Sequence, residues 1–354
     1  MEKIGFVVAM KSRSHITSHD IAKVAKVSQA TVSRVLRGAD NVSEEARDRV
    51  VAAARALNYS PNALARAMRT SRIGVIGVVV ARLSNPLYTD ILRAVNEVAA
   101  DSGLRIVLWD TEGAGEVAAI DAIRQSLVDG VIFAAATHAS PVLREAIASG
   151  APVVLINRTV DSVECDQVSS DNFTGAAKVA DYFLQHGRRR IAFVSGVREA
   201  STIREREAGF LDVLSREGVP VDSSLLRRVP FTHEGGRMAM RSLLDLSDPP
   251  DAVFCVNDLL ALGALDAACE MGCPVPQKCW IVGFDDVEMA SWSTLSLTTV
   301  RQPVRTLVED GIRLLIDRLD NPAREAQQIV HPVDLMIRGS TGRMAYAHES
   351  RRPS

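Results

Sequence analysis

Residues 16–37, ITSHDIAKVAKVSQATVSRVLR, carry side chains suited to one kind of chemistry. Val32, Val35 and Leu36 recur at helical spacing, which turns Gln29, Ala30, Thr31, Ser33, Arg34 and Arg37 outward. That outward set offers an amide, hydroxyls and guanidinium groups, without a carboxylate among them. Such groups hydrogen-bond phosphate oxygens and base edges in duplex grooves. By position, Gln29, Ala30 and Arg34 are the candidate base readers. A guanidinium at 34 can grip a guanine edge with two bonds, and an amide at 29 can pair with adenine or accept from cytosine. Ala30 offers only an apolar contact, such as one to a thymine methyl. Thr17, Ser28, Thr31 and Ser33 suit phosphates, as does the amide-bearing start of the helix. The bland alternative is an ordinary surface helical hairpin.

A second set of polar groups follows successive apolar runs further along. Asp110, Asn157-Arg158, Asn257-Asp258 and Asp285-Asp286 each stand just beyond such a run. In doubly wound sheets, ligands lie beyond the carboxyl ends of the strands. Together these groups supply donors and acceptors, as a polyhydroxylated ligand requires. Singly, each could equally be a helix cap or turn former.

The elements that position both sets follow from periodicity. Ile21, Val24 and Ala25 predict a first helix behind Thr17 and Ser18 as caps, and Val27-Ser28 the turn into the second. Ser43, followed by Glu44 and Glu45, predicts the start of a third helix with Val50, Ala53, Ala54 and Leu57 as its apolar stripe. This all-α head spans 13–60, after an arm at 1–12. Pro61 breaks the third helix, and Asn62 can cap a short segment ending at 72. A lone helix that short is marginal in water, so the segment at 61–72 reads as a linker that becomes helical only with support, or as a simple flexible one.

From residue 73 the pattern changes. Apolar runs at 73–80, 104–108, 131–135, 152–156, 191–194, 252–256 and 280–282 alternate with amphipathic stretches such as 88–100 and 204–214. Continuous apolar strands between helices imply parallel sheets covered on both faces. Seven exceed one mononucleotide-fold half, so two doubly wound α/β subdomains are expected: 73–160 with 303–327, and 161–302 with 328–342, before a polar tail at 343–354.

Charge divides the chain in the same place. Residues 11–72 hold 12 Lys and Arg against 5 Asp and Glu, whereas residues 73–354 hold 28 against 37. A basic head on an acidic body implies that the head alone meets a polyanion. The opening apolar run, IGFVVAM, is too short for a bilayer span or signal peptide, and Met10 offers a more natural beginning. The cytoplasm is the expected address. Cys269, Cys273 and Cys279 lack zinc-knuckle spacing and a nearby histidine, so reduced thiols are expected rather than a metal. Gly74 and Gly77 make no dinucleotide turn, and no serine elbow or Cys–His pairing stands out, so catalysis is not expected.

DIAKVAKVSQATVSRVLRG and VSEEARDRVVAAARALNYSPNALARAMR resemble the head of the lactose-repressor (LacI) family of bacterial transcription regulators. SNPLY, VVLINR, DNFTGA, REREAGF, VNDLLALGAL and VGFDD resemble that family's effector-binding core, in the same order, across about residues 13–342. The resemblance implies a type I periplasmic-binding-protein-like core, a homodimer on a near-palindromic operator in double-stranded DNA, and a small-molecule effector between the lobes. No cofactor or membrane partner is implied. By alignment with those motifs, Arg206, Asn257 and Asp285 fall at effector-contacting positions, with Thr202 supplying a hydroxyl. Leu87, Tyr88 and Phe231 fall where apolar side chains sandwich the ligand. Asn157 sits where members often carry aspartate, and Arg204 is read as a solvated helix residue. The Arg206–Asp285 pair could alternatively be only an ion pair closing the cleft. In the linker, Asn62 and Met68 fall at DNA-contacting positions, Met68 where the family carries a leucine wedge in the minor groove. Lys26 stands where the family favours glycine in a left-handed turn.

Overall fold

The computed structural model describes residues 17–35, 42–57, 72–81, 83–111, 115–196, 198–220 and 222–342. The chain forms two compact units, Met1–Ile73 and Gly74–Ser354.

The first unit contains α1 (Ser18–Ala25), α2 (Gln29–Val35) and α3 (Glu44–Ala56). The Thr17 amide and hydroxyl both donate to Asp20 Oδ2, at 2.9 and 2.7 Å, which fixes the start of α1. These bonds hold the Asp20 carboxyl below its ordinary range. Ser28 Oγ accepts from the Thr31 amide at 3.1 Å and Ser43 Oγ from the Ala46 amide at 3.4 Å, opening α2 and α3. The three helices close on Ile21, Ala22, Ala25, Val32, Val35, Val50 and Ala53. Val24 does not join them: it is 53% exposed, because the buried stripe of α1 runs through residues 21, 22 and 25 and leaves position 24 on the flank. Lys26 closes α1 at φ 53°, ψ 47°, its amide donating to the Ala22 and Lys23 carbonyls.

The second unit contains two six-stranded sheets. The first is ordered β11 (Gln328–His331), β5 (Asp166–Ser170), β4 (Val153–Ile156), β3 (Gly130–Phe133), β1 (Val75–Val80), β2 (Arg105–Asp110), all parallel. The second is ordered β12 (Asp334–Met336), β10 (Thr298–Arg301), β9 (Trp280–Asp285), β8 (Ala252–Cys255), β6 (Ile191–Ser195), β7 (Leu226–Arg228), with only β12 antiparallel. Helices α4 (Pro86–Asp101), α5 (Gly115–Arg124), α6 (Pro141–Ala148) and α11 (Val304–Asp320) belong with the first sheet. Helices α7 (Asn172–Gln185), α8 (Ser201–Arg216), α9 (His233–Leu244) and α10 (Asp258–Glu270) belong with the second.

Sheet membership corrects both expected subdomain boundaries. β5 lies beyond residue 161 yet pairs with β4, and β11 begins at residue 328 yet pairs with β5. The chain therefore crosses after β5, after β10 and again between β11 and β12. The strand-like stretch at 328–338 is two strands in two sheets. Pro332, with no amide to donate, interrupts the ladder between them. The seven expected runs are present, and β5, β7 and β10 are added to them.

Candidate functional site

One cavity between the two sheets receives residues from at or beyond the carboxyl ends of β1, β4, β6, β7, β8 and β9. Only about 40 Å³ of it is open room, below the usual range of small-molecule pockets, so a ligand must spread its walls on entry. Asn85, Leu87 and Tyr88 enter from the start of α4, and Asn157 and Arg158 from the end of β4. Thr202, Ile203 and Arg206 enter from α8, Phe231 from beyond β7, Val256 and Asn257 from beyond β8, and Asp285 from the end of β9. The eight residues singled out for this cleft, Leu87, Tyr88, Asn157, Thr202, Arg206, Phe231, Asn257 and Asp285, all line it.

Arg206 is the centre of the polar wall. Its Nη1 donates to the Val256 carbonyl at 2.7 Å and to Asp285 Oδ1 at 3.3 Å, and its Nε to Asn172 Oδ1 at 2.8 Å. The guanidinium lies 3.5 Å from the Phe284 ring centroid, a cation–π contact that stiffens it further. Gln302 Nε2 donates to the same Asp285 oxygen at 2.8 Å. Burial pushes the Asp285 carboxyl up to about 6, against the pull of Arg206 and Gln302, and lowers Arg206. This is a rigid pair of opposite charges with hydrogen-bonding capacity facing a cavity.

Two side-chain amides complete the polar set. Asn257 Oδ1 caps α10 by accepting from the Leu260 amide at 3.0 Å, which leaves Nδ2 as its donor. Asn157 Nδ2 donates to the Ala134 carbonyl at 3.2 Å, which leaves Oδ1 as its acceptor. Asn157, Asp285 and Asp286 hold φ at 70°, 130° and 57°, left-handed backbone that the surrounding sheet ends impose. The Phe231 ring packs against Gly196, where an added Cβ would stand 2.5 Å from it.

Three other strand-end carboxylates behave differently. Asp110 is not among the lining residues. Asp258 is fully buried, accepting from Thr299 Oγ1 at 2.5 Å and the Val287 amide at 3.0 Å. Asp286 pairs with Arg301 and Arg338, each at 2.6 Å. Arg204 donates to the Arg198 and Glu199 carbonyls, at 3.2 and 3.1 Å, and stays out of the cavity. Sequence reasoning missed Asn85, Ile203 and Val256 as lining residues, and Asn172 and Gln302 as the groups that orient Arg206 and Asp285. DNFTGA contained Asn172, but only the fold brings residue 302 beside residue 285.

On the head, Ser28, Gln29 and Ala30 are exposed and Thr31, Ser33 and Arg34 half-buried. Gln29 Nε2 donates to Ser18 Oγ at 3.0 Å, and Ser28 and Thr31 hydroxyls meet at 2.9 Å. Arg34 Nε reaches the Ala30 carbonyl at 3.4 Å. Asn62 and Met68 lie outside the described residues.

Residues 17–62 match the model for bacterial regulatory proteins of the lacI family, and residues 180–341 match a periplasmic binding protein-like domain. The HTH-type transcriptional repressor CytR of Escherichia coli (strain K12) is 33% identical over 335 residues, covering 94% of this chain and 98% of that protein. The chain belongs to the lacI family. The Ribose operon repressor of Halalkalibacterium halodurans is also 33% identical, over 92% of this chain and 97% of that protein. Among solved structures, the Lac repressor dimer bound to operator and an anti-inducer is 27% identical with a TM-score of 0.78, covering 92% of this chain and 99% of that one. A complex of the transcriptional regulator CelR with cellobiose is 30% identical with a TM-score of 0.71 over the same shares. The family membership makes this chain a DNA-binding transcriptional regulator with an effector-type core, and these relatives are repressors, not enzymes.

Among the described residues, no group of His, Cys, Asp or Glu is placed to hold a metal ion, and no helix is long and apolar enough to cross a membrane. Burial raises the Cys255 and Cys279 thiols far above their ordinary range.

Proposed function

We propose that this regulator represses transcription as a homodimer on a near-palindromic operator, under control of a sugar or sugar derivative bound between the lobes of its core. The observation that carries the reading is the interlobe cavity itself. A charged pair, two amides and an apolar clamp from both lobes converge there, and hydroxyl groups on a ring need that mixture. Ligand contacts are assigned to Leu87, Tyr88, Asn157, Thr202, Arg206, Phe231, Asn257 and Asp285. Because the lining is shared between sheets joined by three crossings, occupancy changes their closure. Closure in turn alters the spacing of the paired linkers, at 61–72, and hence the support for their helical form on DNA.

On the operator, Gln29, Ala30 and Arg34 read bases while Thr17, Ser28, Thr31 and Ser33 hold phosphates, with Asn62 and Met68 engaging the minor-groove side. One head grips too few phosphates for tight binding, and pairing two half-sites supplies the rest. Binding of effector and operator is reciprocally coupled through the same two-state element. The cytoplasm is the proposed location. The test titrates sugars into the full chain on recovered genomic sites at fixed salt. Operator affinity should shift with a sugar that binds the core, and a bound sugar that leaves operator affinity unchanged would refute the control mechanism.

A further inference from the structure

A second, larger cavity opens directly from the first. Its room is about 410 Å³, and it shares Arg158, Ile203 and Phe231 with the smaller one, so those side chains form a waist between the two. Its floor straddles the point in the first sheet where strand order reverses. β1 connects onward to β2 on one side, β3 connects to β4 on the other, and Val79 and Phe133 from these two strands both line the space. Crevices at such reversal points are where doubly wound sheets take ligands. Glu199 and Ala200 close it from the other lobe.

We propose that this chamber is a second subsite and that the effector is an uncharged two-ring glycoside, with one ring against Arg206 and Asp285 and the other beyond the waist. The inference rests on the cleft being the effector site. Three features set the chemistry. The walls alternate apolar side chains (Phe133, Ala136, Val142) with hydroxyls of Thr111, Thr137 and Ser140, as the faces and edges of a ring require. Glu116 and Glu199 stand against the single Arg158, which disfavours a phosphate or carboxylate there. At the waist, Arg158 Nη1 donates to the Ala135 carbonyl at 3.2 Å, while its Nε is buried without a hydrogen-bond partner among the described residues. A buried donor left open is costly, and a glycosidic or ring oxygen that parts the waist side chains on entry satisfies it. A lone monosaccharide in the inner cavity would leave the larger chamber to water.

Calorimetry on the full chain tests this with glucose, galactose and ribose, their disaccharides cellobiose, lactose and sucrose, and nitrophenyl glycosides of the same sugars. A two-ring ligand should bind at least about tenfold tighter than its parent monosaccharide. Disaccharides and nitrophenyl glycosides separate a sugar from an aromatic second ring. In Ala139→Trp, which fills the chamber from its exposed rim, that advantage should fall to within about twofold while the monosaccharide is held as before. Monosaccharides that bind without gain from a second ring, or an A139W variant that weakens both classes equally, would overturn the second subsite alone. Failure of every sugar and glycoside to bind would overturn the sugar reading of the cleft, and this proposal with it.

Discussion

Arg206 and Asp285 meet at 3.3 Å with side chains only 5% and 1% exposed, so neither charge is shared with bulk water. Breaking such a pair leaves the other charge stranded. Arg206→Met should destabilise the core by about 3 kcal/mol in urea denaturation, with sugar binding lost as well. The double variant with Asp285→Asn removes the stranded carboxylate and should recover part of that stability without restoring binding. A single variant costing under about 1 kcal/mol would mean that the pair acts on ligand only.

Asp258 gives the core an unusual pH dependence. Burial first, then the neighbouring Asp285, push its carboxyl up to about 8, against the bonds from Thr299 and Val287. Its unfolded value is near 3.8, so between these limits the native state holds a proton that the unfolded chain releases. Stability therefore falls as pH rises through this window, by up to about 1.4 kcal/mol per unit. Asp285 contributes in the same direction only below about 6, so the Asp258 effect is read between there and about 8. Asp258→Asn, which mimics the neutral acid, should flatten the dependence in that range when melting is followed against pH. An unchanged slope would show that Asp258 is ionised in the native core.

The same carboxylate fixes a glycine. A Cβ added at Gly283 would stand 2.1 Å from Asp258 Oδ1 and 3.2 Å from Ala261 Cβ. Gly283→Ala should cost about 1–3 kcal/mol by overpacking. Shortening the neighbour in the Asp258→Ala, Gly283→Ala pair relieves the clash, so the two losses should fall short of additive by more than about 0.5 kcal/mol in a double-mutant cycle.

What the sequence made legible follows from which forces are local. The head reads well because capping and helical periodicity act over a few residues, as at Thr17, Ser28 and Ser43. The cleft is legible in part from strand-end polar groups: Asn157, Arg158, Asn257 and Asp285 line it while Asp110, Asp258 and Asp286 do not. Leu87, Tyr88, Thr202, Arg206 and Phe231 follow only from the family resemblance. β5 was invisible because DQVSS has no apolar run, yet all five residues are buried. Asp166 there is held by Arg318 and Arg324 from 152 and 158 residues away, and Gln167 bonds both ways with the backbone of Val160. Only the folded chain supplies those partners. The subdomain boundaries failed for the same reason, since apolar content says that a strand exists but not which sheet receives it.

Lys26 carries a conflict between backbone and charge. At φ 53° its Cβ crowds the following carbonyl, a cost of about 1–2 kcal/mol that glycine avoids. Lys26→Gly should therefore raise head stability by about 0.5–1 kcal/mol, less than the full strain because glycine also gains freedom in the unfolded chain. Lys26→Ala keeps the Cβ and should bring no such gain. Both variants remove the ammonium beside the turn into α2. If that charge meets phosphate, both should weaken operator binding alike and lower the salt slope by about one. Melting separates the two variants and salt titration unites them. A glycine variant no more stable than alanine would show that the turn bears no strain.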